Sequence, residues 1–534
     1  MQVIQNSRIY LRIPYEDKDR AKRIVGYQFH PGTKQWSFPL SLRNLVCKMF
    51  PDQAGQINND LQEMHEKHAD HMAAKRAQYR SIDLNMYAFK VQPYEHQVKM
   101  IKMGMVFEKL AYLCEMGTGK TMVITILTVI RAVPTLIICP TTVMENWIKE
   151  YHKFTDLKPI LLYGTSKKRI QLLKDGMTGT KPPVFIINYE GLLVLNKYTH
   201  SRLLLKQFKQ VVLDESSKIK SPKAKRSKTI VKLFSETPFK YILSGTPVTQ
   251  GPLDIYMQYQ FLDPAFLGGG SFYAFRNYYA VMGGYGGYEI QGYKHIDELE
   301  QKISAHAIQI KKEDCLDLPD KVYEKREIEM SPEQRQQYNS MRDDMILELQ
   351  DQENITAGII LTKLLRLQQI SSGAYLEKGK NAKLDELEQV LDETSGKHKI
   401  IWCRFRDTIK LIEKLLQARG TSYCTMHGDT TNRQEIIDDF QGGEYEVFLG
   451  QINTGGMGIT ITKATYTIYY ENTFSLEDRL QSEDRNHRAG QTNKVTYIDL
   501  VYKDSIDSHI LASISNKQDI SRQLVSCFKG GQFK

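Results

Sequence analysis

The chain has 534 residues, 41% of them apolar and 25% charged, with a net charge of +10. That length exceeds a single hydrophobic core and points to two large domains with attachments. No stretch is long and apolar enough to span a bilayer, and the first residues lack the basic-then-apolar pattern of a signal peptide. The 7 cysteines are scattered without a C-x-x-C pair. This argues against a zinc ribbon or disulfide framework and predicts a reducing, cytoplasmic setting with no membrane partner. The moderate basic excess fits a working surface that faces phosphates.

Residues 1–54 read as a small α+β unit. Val3–Ile13 alternates like a strand and Glu16–Val25 like a short helix. His30-Pro31-Gly32 marks a turn between two aromatic-rich strands that carry Tyr27, Trp36 and Phe38. Residues 55–88 read as a polar helical linker. There His65, His68 and His71 recur near one helix face, a conceivable metal site, but no further ligand cluster accompanies them and a solvated face is the simpler reading.

From 89 to 265, apolar runs alternate with helical patterns, with strands expected at Leu110–Cys114, Thr135–Cys139, Val184–Asn188, Gln210–Leu213 and Lys240–Ser244. This predicts a parallel sheet with crossover helices. Residues 266–390 read as a mostly helical insertion and bridge, with a glycine–tyrosine loop at Gly283–Gly292. A second alternating region, 391–512, has strands expected at Lys399–Trp402, Ser422–Met426, Glu446–Gly450, Thr465–Tyr470 and Val495–Leu500. Residues 513–534 form a tail.

Met116-Gly117-Thr118-Gly119-Lys120-Thr121 follows an apolar strand and opens an apolar helix, the context of a phosphate-binding loop. Glycines let the backbone curl so that N–H groups point at phosphate oxygens, and the helix N-terminus adds positive partial charge. Lys120 is then expected at the outer phosphates of ATP and the Thr121 hydroxyl on Mg²⁺. Cys114 stands where the strict pattern has glycine. Gln210–Leu213 leads to Asp214 and Glu215: an Asp at a strand end suits Mg²⁺, and the adjacent Glu suits a water-activating base. The basic run after it, with Lys218, Lys220, Lys223, Lys225, Arg226 and Lys228, suits DNA phosphates.

Taken in order, these motifs resemble the Swi/Snf family of helicase-superfamily-two ATPases over roughly residues 90–512. The resemblance implies two RecA-like parallel-sheet lobes with helical insertions, beside the small α+β N-terminal domain, and ATP held in the cleft between the lobes. Pro93-Tyr94-Glu95-His96-Gln97 resembles the adenine-recognition motif, where a Gln amide can pair with the base edge. Cys139-Pro140-Thr141-Thr142 with Asn146-Trp147, and Asn188-Tyr189-Glu190, resemble segments that touch the DNA backbone, which implies Thr141, Thr142 and Tyr189 as contacts. Ser244-Gly245-Thr246-Pro247 resembles the element that couples nucleotide state to DNA grip. Lys311–Pro319 resembles the bridge between lobes, with Gln309 and Ile310 in place of the family's arginine pair.

In the second lobe, His427-Gly428-Asp429 and Arg433 resemble the segment after motif IV. Gln451 to Thr460 resembles motif V, which implies DNA contacts at Asn453, Thr454 and Gly455 and a nucleotide contact at Gly458; the family usually has Asn where Thr460 stands. Gln481 to Gln491 resembles motif VI. It places Gln481 among the coupling residues and Arg485 and Arg488, three apart on one helix face, as arginine fingers on the transferring phosphate. The N-terminal segment faintly resembles the HARP domain of annealing helicases.

The resemblance implies a monomeric DNA-dependent ATPase that translocates on double-stranded or branched DNA and remodels it or displaces bound protein. A strand-separating helicase acting on DNA or on RNA is the rival within the same chemistry. Asp-Glu-Ser-Ser in place of Asp-Glu-Ala-Asp and the long section between motifs III and IV disfavour the RNA form. No nuclease cluster appears in the chain. A catalytically inactive DNA-binding scaffold is disfavoured by the intact Lys120, Asp214, Glu215, Arg485 and Arg488.

Overall fold

The apolar runs that alternate with helical patterns become two parallel sheets, each in its own unit. A computed structural model describes residues 4–5, 8–24, 27–39, 43–179, 182–245, 251–283, 289–315, 318–351, 357–374, 381–452 and 459–515. The chain divides into the units Met1–Cys315 and Leu316–Lys534. The division falls inside the 266–390 segment.

The first unit begins with β1 (Ile4–Gln5), β2 (Arg8–Leu11), β3 (Gln28–His30) and β4 (Gln35–Pro39), an antiparallel sheet of order β1-β2-β4-β3. Residues 31–34 make the expected reversal between β3 and β4. Trp36 and Phe38 are buried with Ile9, Leu11, Val46 and Phe50, so they form a packed core. The helix Ala54–Ser81 follows. It carries His65, His68 and His71, whose side chains lie outside the described part. Among the described residues no group of three or more His, Cys, Asp or Glu could hold a metal.

The main sheet of this unit comprises β5 (Lys109–Cys114), β6 (Thr135–Cys139), β7 (Ile160–Leu161), β8 (Val184–Asn188), β9 (Gln210–Asp214) and β10 (Phe239–Leu243). After the antiparallel hairpin of β11 (Ala280–Gly283) and β12 (Glu289–Tyr293), β13 (Ala307–Ile310) returns to it. The order is β13-β5-β10-β9-β6-β8-β7, and every pairing is parallel. Its central strands are mainly apolar because both faces are covered. Leu136 and Ile138 enter one core, Ile137 and Cys139 the other.

The second unit holds β14 (Lys321–Ile328), β15 (Lys399–Cys403), β16 (Tyr423–Met426), β17 (Val447–Gln451), β18 (Tyr466–Tyr469) and β19 (Val495–Tyr502). They form a parallel sheet of order β14-β19-β18-β15-β17-β16. Ile401 and Leu449 face one core, Ile400 and Phe448 the other. The chain therefore has the expected α/β class: two parallel-sheet lobes and a small α+β N-terminal part. Residues 266–390 hold mostly helices among the described residues, but they also carry strands not expected from the sequence pattern: β13 and β14 each add an edge strand to one of the two sheets. β14 is exposed along much of its length, and edge strands carry charge to discourage further pairing, so its lysines and glutamates hide the strand pattern. Among the described residues no helix is long and apolar enough to cross a membrane.

Candidate functional site

β5, β10 and β9 are neighbours that run the same way, so their C-terminal ends share one edge of the first sheet, the edge where α/β sheets hold ligands. β5 delivers the phosphate-loop residues, β10 delivers Ser244 and Gly245, and β9 delivers Asp214 and Glu215. The loop turns sharply because Gly117 and Gly119 adopt φ of +85° and +88°, values that favour residues without a Cβ. Gly119 precedes the helix Lys120–Arg131. A Cβ on it would fall 2.2 Å from Gln97 Nε2, so space and conformation both demand glycine. Lys120 Nζ donates to the carbonyls of Cys114 (2.7 Å) and Glu115 (2.9 Å), and the Thr118 hydroxyl donates to Glu115 (2.8 Å). A Cβ on Gly245 would be 3.2 Å from Met116 Cγ, which puts the Ser244–Gly245 element directly against the loop.

Cys114 is tolerated because it is the last residue of β5. Its side chain is buried, and Sγ donates to the Ile308 carbonyl of β13 at 3.4 Å. Burial pushes the thiol up to about 11. Beside the loop, Gln97 is also buried. Its Oε1 accepts from Tyr94 N at 3.0 Å and its Nε2 donates to the Thr118 carbonyl at 3.3 Å. The amide expected at an adenine edge thus already braces the loop, and Tyr94 is 63% exposed next to it.

Asp214 closes β9. Its Oδ2 accepts from Trp147 Nε1 at 2.8 Å and its Oδ1 from the Glu215 amide at 3.0 Å. Burial raises the carboxyl above the usual range, while the Trp147 hydrogen bond and the charge of Lys120 pull it back. Glu215 has φ of +51°, a left-handed value uncommon for a residue with a Cβ and frequent at functional sites. Thr121 lies in the first turn of the helix that Lys120 opens. One carboxylate and one hydroxyl suit Mg²⁺, which takes few protein oxygens and completes its shell with phosphate and water.

The residues expected at a DNA backbone have mixed fates. Thr141 is exposed and its hydroxyl accepts from Asn188 Nδ2 at 3.0 Å. The Thr142 hydroxyl is buried with no hydrogen-bond partner among the described residues. Tyr189 does not fit its expected role: the ring is buried and its hydroxyl donates to the Asp214 carbonyl at 2.7 Å. As the first residue of an Asn-capped helix that leaves β8, it turns inward. In the basic run Lys218 is exposed, Lys220 lies 3.8 Å from the Asp254 carboxylate, and Arg226 pairs with Glu190 at 2.5 Å. Thr246, Asn453, Thr454, Gly455 and Gly458 lie outside the described residues.

In the second unit, the helix Leu476–Glu483 ends before Arg485. Arg485 and Arg488 therefore lie in the following turns and do not share a helix face, contrary to the reading from their spacing. Arg485 is buried, and its Nη1 donates to the Ile459 carbonyl at 3.3 Å. Arg488 donates to the Thr460 hydroxyl at 2.7 Å, so the residue that replaces the family's Asn holds this arginine. Gln481 is buried and donates to Glu477 at 3.3 Å. Beneath them lies a network the sequence did not reveal. Arg479 binds Asp499 at 2.5 and 3.1 Å, Glu483 at 2.9 Å and Asn472 at 2.6 Å, with its guanidinium 3.5 Å from the centre of the Tyr469 ring. Glu483 also accepts from Lys321 (3.0 Å) and Tyr323 (2.7 Å). Arg479 and Lys321 hold its carboxyl below the ordinary value despite burial.

Residues 74–376 match the SNF2-related domain, and residues 382–490 match the helicase conserved C-terminal domain. The chain is 26% identical over 432 residues to chromodomain-helicase-DNA-binding protein 1-like of Danio rerio, covering 76% of this chain and 40% of that protein. It is 26% identical over 442 residues to the putative ATP-dependent helicase/translocase YwqA of Bacillus subtilis, covering 77% and 46%. Among solved structures, the Sulfolobus solfataricus SWI2/SNF2 ATPase core in complex with dsDNA matches at 24% identity and a TM-score of 0.38, covering 82% of this chain and 94% of that one. The chain spans less than half the length of these two curated relatives. The SNF2-related match alone takes in more than half of the residues, and the chain belongs to that family.

Proposed function

We propose that this chain is a DNA-dependent ATPase that translocates on double-stranded or branched DNA and remodels DNA structures or displaces bound protein. The observation that carries the reading is the convergence, on one edge of the first sheet, of the phosphate loop, the Asp214–Glu215 pair and the Ser244–Gly245 element.

In this scheme the loop amides and Lys120 bind the phosphates of ATP, and Glu215 orients and deprotonates the attacking water. Thr121 and Asp214 would hold Mg²⁺, whose chemistry there would be to offset phosphate charge. Arg485 and Arg488 supply planar cations for the charge that spreads over the transferring phosphoryl group. Gly245, packed on Met116, senses the loop and passes nucleotide state onward. Thr141 and Lys218, both exposed, bind phosphodiester oxygens without reading bases, so the motor tolerates any sequence. ATP binding and hydrolysis then bias a two-state element, and only differential contacts with the γ-phosphate can drive it.

The test is ATP hydrolysis measured with single-stranded, duplex and forked DNA and with RNA, paired with a strand-annealing assay. Stimulation by duplex or forked DNA, lost steeply as salt rises, is the expected result. Stimulation by RNA alone would replace this reading with that of an RNA helicase. No hydrolysis with any of them would leave only the DNA-binding scaffold.

A further inference from the structure

β9 lies between β10, on the phosphate-loop side, and β6, with β8 beyond it. Its end is gripped from that far side by two aromatic residues. Trp147, in the helix Met144–Phe154 that follows β6, donates its indole N–H to Asp214 Oδ2 at 2.8 Å. Tyr189, directly after β8, donates its hydroxyl to the Asp214 carbonyl at 2.7 Å. Each residue is 1% exposed, so neither swings away without disturbing the core. The Tyr189 bond pins the peptide that leads into Glu215, the residue with φ of +51°.

A second layer of contacts runs outward from these rings. Asn188 Nδ2 lies 3.0 Å from the Thr141 hydroxyl and 3.4 Å from Glu190 Oε2. Glu190 pairs with Arg226 at 2.5 Å, and the Arg226 guanidinium lies 5.6 Å from the centre of the Tyr189 ring. Glu190 is 60% exposed in its side chain and Arg226 30%. Contacts therefore lead from the surface through Tyr189 to the backbone carbonyl of Asp214, while Trp147 reaches the Asp214 carboxylate itself.

We propose that Trp147 and Tyr189 are positioning residues for Asp214 and Glu215, and that the Thr141–Asn188–Glu190–Arg226 group relays contact with a phosphodiester backbone to them. Only the relay half rests on the proposed function. A backbone phosphate competes with Glu190 for the Arg226 guanidinium. Its capture changes what Arg226 offers to the Tyr189 ring, and the Tyr189 hydroxyl sets the Asp214 peptide. The Trp147 N–H occupies one carboxylate oxygen and so orients what the carboxylate presents to a metal; partners of this kind typically contribute about 10- to 100-fold in metal affinity.

Trp147→Phe and Tyr189→Phe remove one donor each and keep a ring in place, and thermal unfolding checks that both fold. Binding of a fluorescent ADP analogue is titrated with Mg²⁺. The Mg²⁺ concentration for half-maximal binding rises about tenfold in Trp147→Phe and by a smaller factor in Tyr189→Phe. Stimulation of ATP hydrolysis by duplex DNA falls about tenfold in Tyr189→Phe, mostly in kcat, with DNA affinity within about twofold of wild type. Arg226→Ala loses stimulation to a similar extent, and the double variant is no worse than the worse single one, because the two residues act in series. Unchanged Mg²⁺ dependence in both aromatic variants overturns the positioning half. Unaltered stimulation in Tyr189→Phe, or multiplying losses in the double variant, overturns the relay. A wild-type protein that no nucleic acid stimulates overturns the proposed function and the relay with it, while the Mg²⁺ titration still decides the positioning half.

Discussion

The two sheets share a parallel topology but hold their functional edges by different means. In the first unit the geometry is set by backbone conformation: positive φ at Gly117, Gly119 and Glu215, with Lys120 and Thr118 bonded to loop carbonyls. In the second it rests on buried charge, with Arg479 between Asp499 and Glu483 beneath the turns that carry Arg485 and Arg488. A backbone-held site loses function when a side chain changes and keeps its fold. A charge-held site loses its fold, because removing one partner strands the others in a region of low dielectric.

The largest effect is therefore expected in the second unit. Arg479→Met removes the cation shared by two buried carboxylates, leaving Glu483 with Lys321 and Asp499 with the Asn472 amide, and destabilises that unit by about 3–5 kcal/mol, seen as a lower-temperature unfolding transition in calorimetry. A midpoint equal to wild type would remove the contrast between the two edges. Next come Lys120→Ala and Glu215→Gln, each expected to lower kcat for ATP hydrolysis about 10²- to 10³-fold with the unfolding temperature of the first unit nearly unchanged. Full turnover in either variant would sink the active-site assignment.

Gly119→Ala sharpens the comparison, since it adds one methyl group to a backbone of φ +88° and drives it against Gln97. Strain of about 1–3 kcal/mol is expected to appear mainly as weaker ATP binding, measurable by titration. The smallest effect concerns a buried charge of the first unit, at the opposite end of its sheet. Lys240, beside Lys109 on β5, is buried, and burial lowers its ammonium to about 8. Between that value and the ordinary 10.5 the unfolded chain binds more protons, so wild-type stability rises with pH through this window. Lys240→Met is expected to stabilise the first unit by about 2 kcal/mol at pH 7, a gain that shrinks as pH climbs toward 10.5. A gain that is constant with pH would show that the ammonium is not the cause.

The central strands were legible because both of their faces are buried, so runs such as Leu136–Cys139 are apolar without interruption. β13 and β14 were not, because edge strands need only half an apolar pattern, and β14 spends the remainder on charge. The phosphate loop was legible because its chemistry is local. Glycines, lysine and threonine within a few positions produce the turn, with Gly117 and Gly119 at positive φ and Lys120 opening the helix. Roles made across long separations were not legible. Trp147 meets Asp214 67 residues later, Tyr189 meets it 25 residues later, and Lys321 meets Glu483 across 162. The spacing of Arg485 and Arg488 suggested a shared helix face, but the helix ends at Glu483, and a period of three says nothing about where a helix stops.

The most direct test of the motor reading is displacement of a third strand from a DNA triplex with an adjoining duplex track. The wild-type protein is expected to release the third strand only with ATP and Mg²⁺ and only when the track is present, and Glu215→Gln is expected to bind the track without releasing it. Release that ignores ATP or the track, or robust ATP hydrolysis on duplex DNA with no release, would contradict the account.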